Sequence, residues 1–179
     1  MTITDKDSEQ KKWDDYYATL PVLPEDEMTR VINEEFVEIV TSFLPNGTTL
    51  EAGCGAGWQS LALARSGRFQ VSLMDFSQEA LRHSRKIFEQ FNLPATWLCG
   101  DAMQIGKPEY DLVFNAGVLE HYTFKEQVDY LKSMASRSKR YVLALLPNRM
   151  CYWYWIWRVQ DSVNNEWPYG KEIPLMDMS

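Results

Sequence analysis

The chain has 179 residues, and its 18 basic and 25 acidic side chains sum to a net charge of −7. Hydrophobic residues make up 45% of the chain and charged residues 24%, a composition that excludes wholesale disorder and suits one domain with a buried core. An acidic chain is also a poor electrostatic partner for a phosphate backbone, so we expect no nucleic-acid ligand.

The three cysteines, Cys54, Cys99 and Cys151, lie far apart in the sequence, and there are two histidines. This number and spacing predict neither a disulfide framework nor a metal site. The first residues lack the apolar core of a signal peptide, and no stretch reaches about 18 apolar residues. We therefore expect a cytoplasmic chain.

Hydrophobic periodicity predicts that helices and strands alternate along the chain. The predicted helices cover residues 25–44, 57–65, 77–91 and 124–136, and the predicted strands cover residues 48–52, 69–74, 95–99, 111–115 and 140–146. Ser77 is the predicted N-cap of the third helix. Buried strands separated by helices are typical of an open α/β sheet with helices on both faces.

The predicted organisation has three parts. Residues 1–24 form an N-terminal arm or lid, residues 25–149 form the sheet domain, and residues 150–179 form an aromatic-rich segment. Trp13, Tyr16 and Tyr17 indicate that the arm docks on the domain. They either close over a ligand or pack the arm onto the sheet.

The most specific segment is TTLEAGCGAGW, residues 48–58, in which Gly53, Gly55 and Gly57 follow a strand and precede a helix. Glycines at such a turn let the backbone approach a ligand closely. A dinucleotide loop needs a further glycine where Trp58 stands. Glu51 beside the loop would repel a pyrophosphate and would suit an ammonium group.

This segment resembles motif I of the class I S-adenosylmethionine-dependent methyltransferases. Three later segments resemble the family in the same order: VSLMDFS with Asp75, CGDA with Asp101, and DLVFNAGVLEHY, residues 111–122. The resemblance covers roughly residues 30–150 and is greatest to the small-molecule and lipid branch, which includes ubiquinone and menaquinone biosynthesis enzymes. It implies a Rossmann-like sheet of order 3-2-1-4-5 and S-adenosyl-L-methionine as cofactor.

The resemblance also implies the residues that bind the cofactor. Asp75 would hold both ribose hydroxyls, Asp101 and Ala102 would contact the adenine, and the backbone near Asn115 and Ala116 would line the methionine end. Asp75 and Asp101 have a structural alternative, since each would also suit the cap of a helix or turn. The full predicted set is Glu51, Gly53, Cys54, Gly55, Gly57, Asp75, Phe76, Asp101, Ala102, Asn115, Ala116 and Tyr16, with no metal ligand.

His121 follows the fourth predicted strand, at the edge where open α/β sheets bind ligands. It is either a general base or a residue that positions the acceptor. For the neighbouring Glu120 we expect a position facing the start of the next helix. We expect His83 on a solvated helix face and Cys99 among buried apolar residues.

Residues 150–158 contain five aromatic side chains, and Arg149 and Arg158 lie at the two ends of this segment. Three interpretations are open: a wall for a flat or lipid-like small-molecule acceptor, a peripheral membrane contact, or ordinary packing. Methyl transfer to such an acceptor is the predicted function. The alternatives are an NAD-dependent oxidoreductase and a non-catalytic S-adenosylmethionine-binding module.

The family's sheet has seven strands, whereas only five are predicted here. We therefore expect a chain that lacks the sixth and seventh strands at its C-terminal end. Residues 141–146 would then form a long apolar strand at the edge of the sheet.

Overall fold

The computed structural model describes residues 3–107, 109–163 and Glu172. The described strands are β1 (Gly47–Ala52), β2 (Phe69–Asp75), β3 (Thr96–Cys99), β4 (Tyr110–Ala116) and β5 (Ser138–Leu145). The α-helices are α1 (Ile3–Thr19), α2 (Glu27–Phe43), α3 (Trp58–Arg65), α4 (Gln78–Gln90), α5 (Phe124–Arg137) and α6 (Tyr152–Val163), and a short 3-10 helix covers Leu119–His121.

The five strands form one parallel sheet of order β3-β2-β1-β4-β5, so the predicted α/β fold and strand order are confirmed. The chain winds from β1 outward to β3 and then returns to β4 on the other side of β1. Ligands bind open α/β sheets in the crevice where the order reverses, at the carboxyl ends of the strands. The carboxyl ends of β1, β2 and β4 are therefore the place to look for a site.

Apolar side chains on both faces of the central strands hold the sheet to its helices. Leu73 and Phe114 are fully buried against Phe36 of α2 and Phe88 of α4, whereas Leu50 and Val113 belong to a separate core cluster that includes Met134 of α5. Strands covered on both faces are rich in apolar residues. This enrichment explains why the strand runs could be recognised in the sequence.

The N-terminal segment is a helix rather than an irregular arm, which the sequence analysis did not predict. Its side chains contact the start of α4, where the Ser77 hydroxyl donates a 2.6 Å hydrogen bond to Asp14 and the Gln10 amide donates to the Phe76 carbonyl. Ser77 is also the N-cap of α4, as predicted, because its hydroxyl accepts from the Ala80 amide.

Two environments differ from those predicted. His83 is buried rather than solvated, with its ring 5.8 Å from that of Tyr17, because α1 covers that face of α4. Cys99 is exposed rather than buried, because it ends the strand at the open edge of the sheet.

Strand β5 pairs with β4 and forms the other edge of the sheet. In the part of the chain that the structure describes, no strand follows it. As predicted, the run after Arg140 forms an edge strand with apolar side chains, and Val142 is 39% exposed. The expectation that the sixth and seventh strands are missing also concerns residues 164–171 and 173–179. These residues lie outside the part of the chain that the structure describes.

Candidate functional site at the carboxyl ends of the strands

The glycine loop between β1 and α3 forms the floor of a cleft. Gly53, Gly55 and Gly57 all have left-handed backbone conformations, with φ of +73°, +51° and +75°. A β-carbon at position 57 would overlap the Leu73 side chain, so this tight turn requires glycine. The amides of Gly53 and Cys54 donate to the Met74 carbonyl, which fixes the loop to the end of β2.

The Asp75 carboxylate lies at the end of β2 and is held on both oxygens. Oδ2 accepts a 2.9 Å hydrogen bond from the Gly55 amide, and Oδ1 accepts one of 2.9 Å from the Ser77 amide. Burial raises the pKa of Asp75 to about 6, against the lowering effect of these backbone donors. Each carboxylate oxygen has a second lone pair, so the group can accept two further hydrogen bonds.

Glu51 is turned away from the cleft. Its side chain is 1% exposed, and Oε2 accepts a 3.2 Å hydrogen bond from the Ser60 amide in the first turn of α3. Gly57, the N-cap of that helix, has no side chain that could accept it. The sequence predicted this carboxylate at the methionine end of the ligand; in the structure it instead lies beneath the loop, where burial raises its pKa to about 8.

The cleft has a volume of about 530 Å³. It contains most of the predicted residues: Gly53, Cys54, Gly55, Gly57, Asp75, Phe76, Ala116 and His121. A small pocket of about 20 Å³ shares Gly53, Asp75 and Phe76 with the cleft and contains Asp101 and Ala102. Asp101 also caps its own turn, since Oδ1 accepts from the Met103 amide at 2.8 Å.

Three of the predicted residues line neither cavity: Glu51, Tyr16 and Asn115. The Tyr16 ring instead packs against those of Trp13 and Tyr17, with centroid distances of 5.9 and 5.0 Å. The Asn115 side chain is fully buried, and its amide nitrogen lies 3.2 Å from the Met134 sulfur. Alternation along β4 turns this side chain away from the cleft.

Helix α1 forms one wall of the cleft through Trp13 and Tyr17. The Trp13 ring meets the His121 ring edge to face, with centroids 5.5 Å apart. The Tyr17 hydroxyl lies against Gly55, where a β-carbon would overlap it. Of the two predicted roles, closing over a ligand and packing the arm, these contacts support both.

Helix α6 forms part of the opposite wall. Tyr154 and Trp157 line the cleft, whereas Trp153 is 64% exposed on another face. The Tyr154 hydroxyl donates to Glu172 at 2.5 Å and accepts from Arg158 at 2.7 Å. The aromatic segment therefore supplies a wall of the cleft and an outer aromatic surface, and the membrane interpretation of that surface stays a prediction.

Glu120 is the residue that the sequence analysis misplaced most clearly. It lines the cleft and is 3% exposed, and Oε2 has no hydrogen-bond partner among the described residues. The start of α5 is occupied instead by Glu126, whose carboxylate accepts from the amide and hydroxyl of Thr123. Burial, followed by the charge of Glu172, raises the pKa of Glu120 to about 7.

The cleft also contains residues that were not singled out as site residues, among them Glu9, Val118, Tyr122 and Glu172. Val118 and Tyr122 lie within the segment 111–122 that carried the resemblance. Their position directly after β4 could therefore have indicated that they line the cleft. For Glu9 and Glu172 no local pattern pointed to the cleft.

Across the described residues, no cluster of three or more His, Cys, Asp or Glu side chains is placed to hold a metal ion. None of the helices described here is both long and apolar enough to cross a membrane.

Comparison with known proteins identifies the family. A family model described as a methyltransferase domain matches residues 49–140, just over half of the chain. The chain belongs to this methyltransferase family. The match spans the glycine loop, Asp75 and the residues after β4, and it confirms the resemblance to the S-adenosylmethionine-dependent methyltransferases.

A curated relative is the magnesium-protoporphyrin O-methyltransferase of Synechocystis sp. (strain ATCC 27184 / PCC 6803 / Kazusa), which is 31% identical over 134 residues. The alignment covers 68% of this methyltransferase chain and 56% of the relative. The chain thus spans little more than half the length of the curated relative that it matches.

Two solved structures share the fold. The magnesium protoporphyrin IX methyltransferase of Synechocystis PCC 6803 with bound SAH has a TM-score of 0.63 at 21% identity, covering 87% of this chain and 74% of its own. A protein from Pyrococcus horikoshii OT3 has a TM-score of 0.65 at 19% identity, covering 82% and 71%.

Proposed function

We propose that the cleft binds S-adenosylmethionine and that the chain promotes transfer of its methyl group to a small-molecule acceptor. The observation that carries this proposal is the Asp75 carboxylate, fixed on both oxygens beside a glycine loop at the reversal point of the sheet. The family match and the related fold of a methyltransferase solved with bound SAH support it.

Asp75 is suited to a ribose because its orientation is set before any ligand arrives. The amides of Gly55 and Ser77 occupy one lone pair on each oxygen, which leaves one on each for a pair of vicinal hydroxyls. Charge-assisted hydrogen bonds of this kind are stronger than those between neutral groups.

The adenine would lie beyond Asp75 at the mouth of the small pocket, because the pocket itself, at about 20 Å³, is too small to contain the ring. Phe76 and Ala102 would supply apolar contacts to the adenine, and the Asp101 carboxylate would lie near the edge of the adenine ring. Since Asp101 also fixes its own turn through the Met103 amide, its geometry is set by the protein.

The loop from Gly53 to Gly57 would lie against the methionine part, where the lack of side chains lets the backbone approach closely. Ala116 faces the same space at the end of β4. Glu51 acts indirectly in this proposal: it ties the loop to α3 through Ser60 and contacts no ligand.

The bound cofactor supplies an activated methyl group, so the protein has to supply alignment and exclusion of water. Trp13 of α1 and Trp157 of α6 lie on the walls of the cleft, and both would shield the reacting centre. Aromatic faces near a sulfonium stabilise its charge as well. His121 lies beside Trp13, where it would act as a base or position the acceptor.

An acceptor would enter on the side of α6, where aromatic rings favour a flat or apolar molecule. The volume of about 530 Å³ is within the range of small-molecule sites. The acceptor class is therefore a small molecule or lipid-like compound with an aromatic or apolar body.

Isothermal titration calorimetry with S-adenosylmethionine, S-adenosylhomocysteine and NAD tests the proposal. We expect both sulfur compounds to bind and NAD to bind at least tenfold more weakly, because Trp58 stands where a dinucleotide loop has glycine. A preference for NAD would contradict the proposal. If S-adenosylmethionine binds but is neither slowly hydrolysed nor used to methylate any acceptor in a panel of small molecules, the result would favour the non-catalytic binding module.

A further inference from the structure

Glu120 is a buried carboxylate that lines the cleft. It is 3% exposed, and its buried Oε2 has no partner among the residues that the structure describes. An unpaired buried polar group costs free energy, so a ligand that gives it a hydrogen-bond donor removes that cost.

The surroundings of Glu120 place it on the acceptor side of the cleft. Glu172 and Tyr154 of α6 line the cleft together with Glu120, the Tyr154 hydroxyl donates to Glu172, and the charge of Glu172 helps to raise the pKa of Glu120. The group that balances Glu172 is Arg158, whose Nη1 lies 3.4 Å from that carboxylate. Arg158 does not line the cleft, and none of the described residues that do is an arginine or lysine.

On the basis of the proposed function, we infer that Glu120 selects the acceptor: it accepts a hydrogen bond from an ammonium or hydroxyl group on an aromatic molecule and disfavours carboxylates. Tyr154 and Trp157 supply the aromatic contacts on the same wall. An ammonium group gains most, because it pairs with the carboxylate and also lies near ring faces. A carboxylate in this position would meet a like charge, and none of the described residues that line the cleft is an arginine or lysine.

A matched series of probes tests the inference: 2-phenylethylamine, 2-phenylethanol and 3-phenylpropanoate. All three carry the same ring on a short chain and differ in the terminal group. Each is titrated at pH 8 into the chain saturated with S-adenosylhomocysteine. We expect the amine to bind most tightly and the carboxylate at least tenfold more weakly than the amine.

The variant Glu120→Gln should reduce the preference for the amine over the carboxylate to threefold or less. Glu38→Gln is the matched control, because Glu38 is exposed on α2 and the same charge is removed far from the cleft. This control should keep the wild-type preference. Both variants should bind S-adenosylhomocysteine within twofold of the wild type.

The outcomes separate this inference from the proposed function. Failure of the wild type to bind S-adenosylhomocysteine would count against the proposed function. With that binding intact, the inference is overturned if the amine fails to bind at millimolar concentration, if the wild type does not distinguish the probes, or if Glu120→Gln keeps the preference. Loss of S-adenosylhomocysteine binding in Glu120→Gln alone would assign Glu120 to the cofactor and overturn the acceptor role.

Discussion

The Glu51 carboxylate accepts a hydrogen bond from the Ser60 backbone amide and so caps α3 from the end of β1. It replaces the side chain that Gly57 lacks at the N-cap position. One buried acid therefore connects the strand, the glycine loop and the helix that together form the floor of the cleft.

This contact predicts how stability depends on pH. Burial raises the pKa of Glu51 from 4.5 to about 8, so the folded chain holds the proton more tightly than the unfolded chain. The free energy of unfolding should then fall as the pH rises from about 4.5 to about 8. In Glu51→Gln, the free energy of unfolding, measured with urea, should decline over this pH range by about 1–3 kcal/mol less than in the wild type.

Asp75 and Glu120 also have raised pKa values, and their contributions are common to both proteins in this comparison. The difference between wild type and variant therefore reports on Glu51 together with its electrostatic coupling to Asp75. Parallel pH profiles for the two proteins would contradict the assignment.

Asp75→Ala should weaken binding of S-adenosylhomocysteine by about 2–4 kcal/mol, because two charge-assisted hydrogen bonds to the ribose are lost. Titration calorimetry measures this change, with circular dichroism to verify the fold. Asp111→Asn is the control: this carboxylate accepts from the amide and hydroxyl of Thr48 at the opposite end of the sheet. It should lower stability by about 1 kcal/mol and leave the affinity unchanged. Unchanged affinity in a folded Asp75→Ala variant would contradict the ribose site.

Trp13→Ala should weaken S-adenosylmethionine binding by about 0.5–2 kcal/mol, because an aromatic face on the cleft wall is removed. S-adenosylhomocysteine has no sulfonium charge, so its affinity should fall less. Lys11→Ala serves as the control on the solvent side of α1, where the exposed Lys11 pairs with Asp15. Equal losses for both ligands would assign Trp13 to packing alone.

Gly57→Ala should destabilise the chain more than Gly67→Ala. Both glycines have left-handed φ angles, of +75° and +69°, so the two variants share a conformational cost of about 1–2 kcal/mol. At position 57 the new β-carbon also overlaps Leu73, whereas position 67 has open space around it. The overlap should add about 1–3 kcal/mol. Thermal or urea unfolding of the two variants measures the difference, and equal losses would show that the loop relaxes around the new methyl group.

The elements that could be predicted are those with a local cause. Strands of a covered sheet are rich in apolar residues, so the apolar stretches of β2, β4 and β5 could be recognised, and the N-cap Ser77 is recognised from the helix that it begins. The glycine spacing marks a backbone turn that few other residues can adopt. These patterns, with the acid after β2, were sufficient for the fold, the strand order and the family.

The orientation of the acids and the histidine could not be predicted in the same way. Glu51 and Glu120 both lie next to the loops that form the cleft, but one caps α3 beneath the loop and the other faces the cleft. Which side a carboxylate faces depends on the groups that the folded chain places next to it, such as the Ser60 amide beside Glu51. His83 is buried for the same reason, since α1 packs against it from 66 residues earlier.

By itself, the sequence determined the alternation of strands and helices, the glycine turn and the acid at the end of β2, because each follows from backbone geometry or from burial on both faces of a sheet. Only the tertiary structure decided that α1 is a wall of the cleft, that Glu51 supports the loop and that Oε2 of Glu120 has no hydrogen-bond partner among the described residues. Those three features depend on how strands, loops and helices pack together, which is settled only when the sheet and its helices are in place.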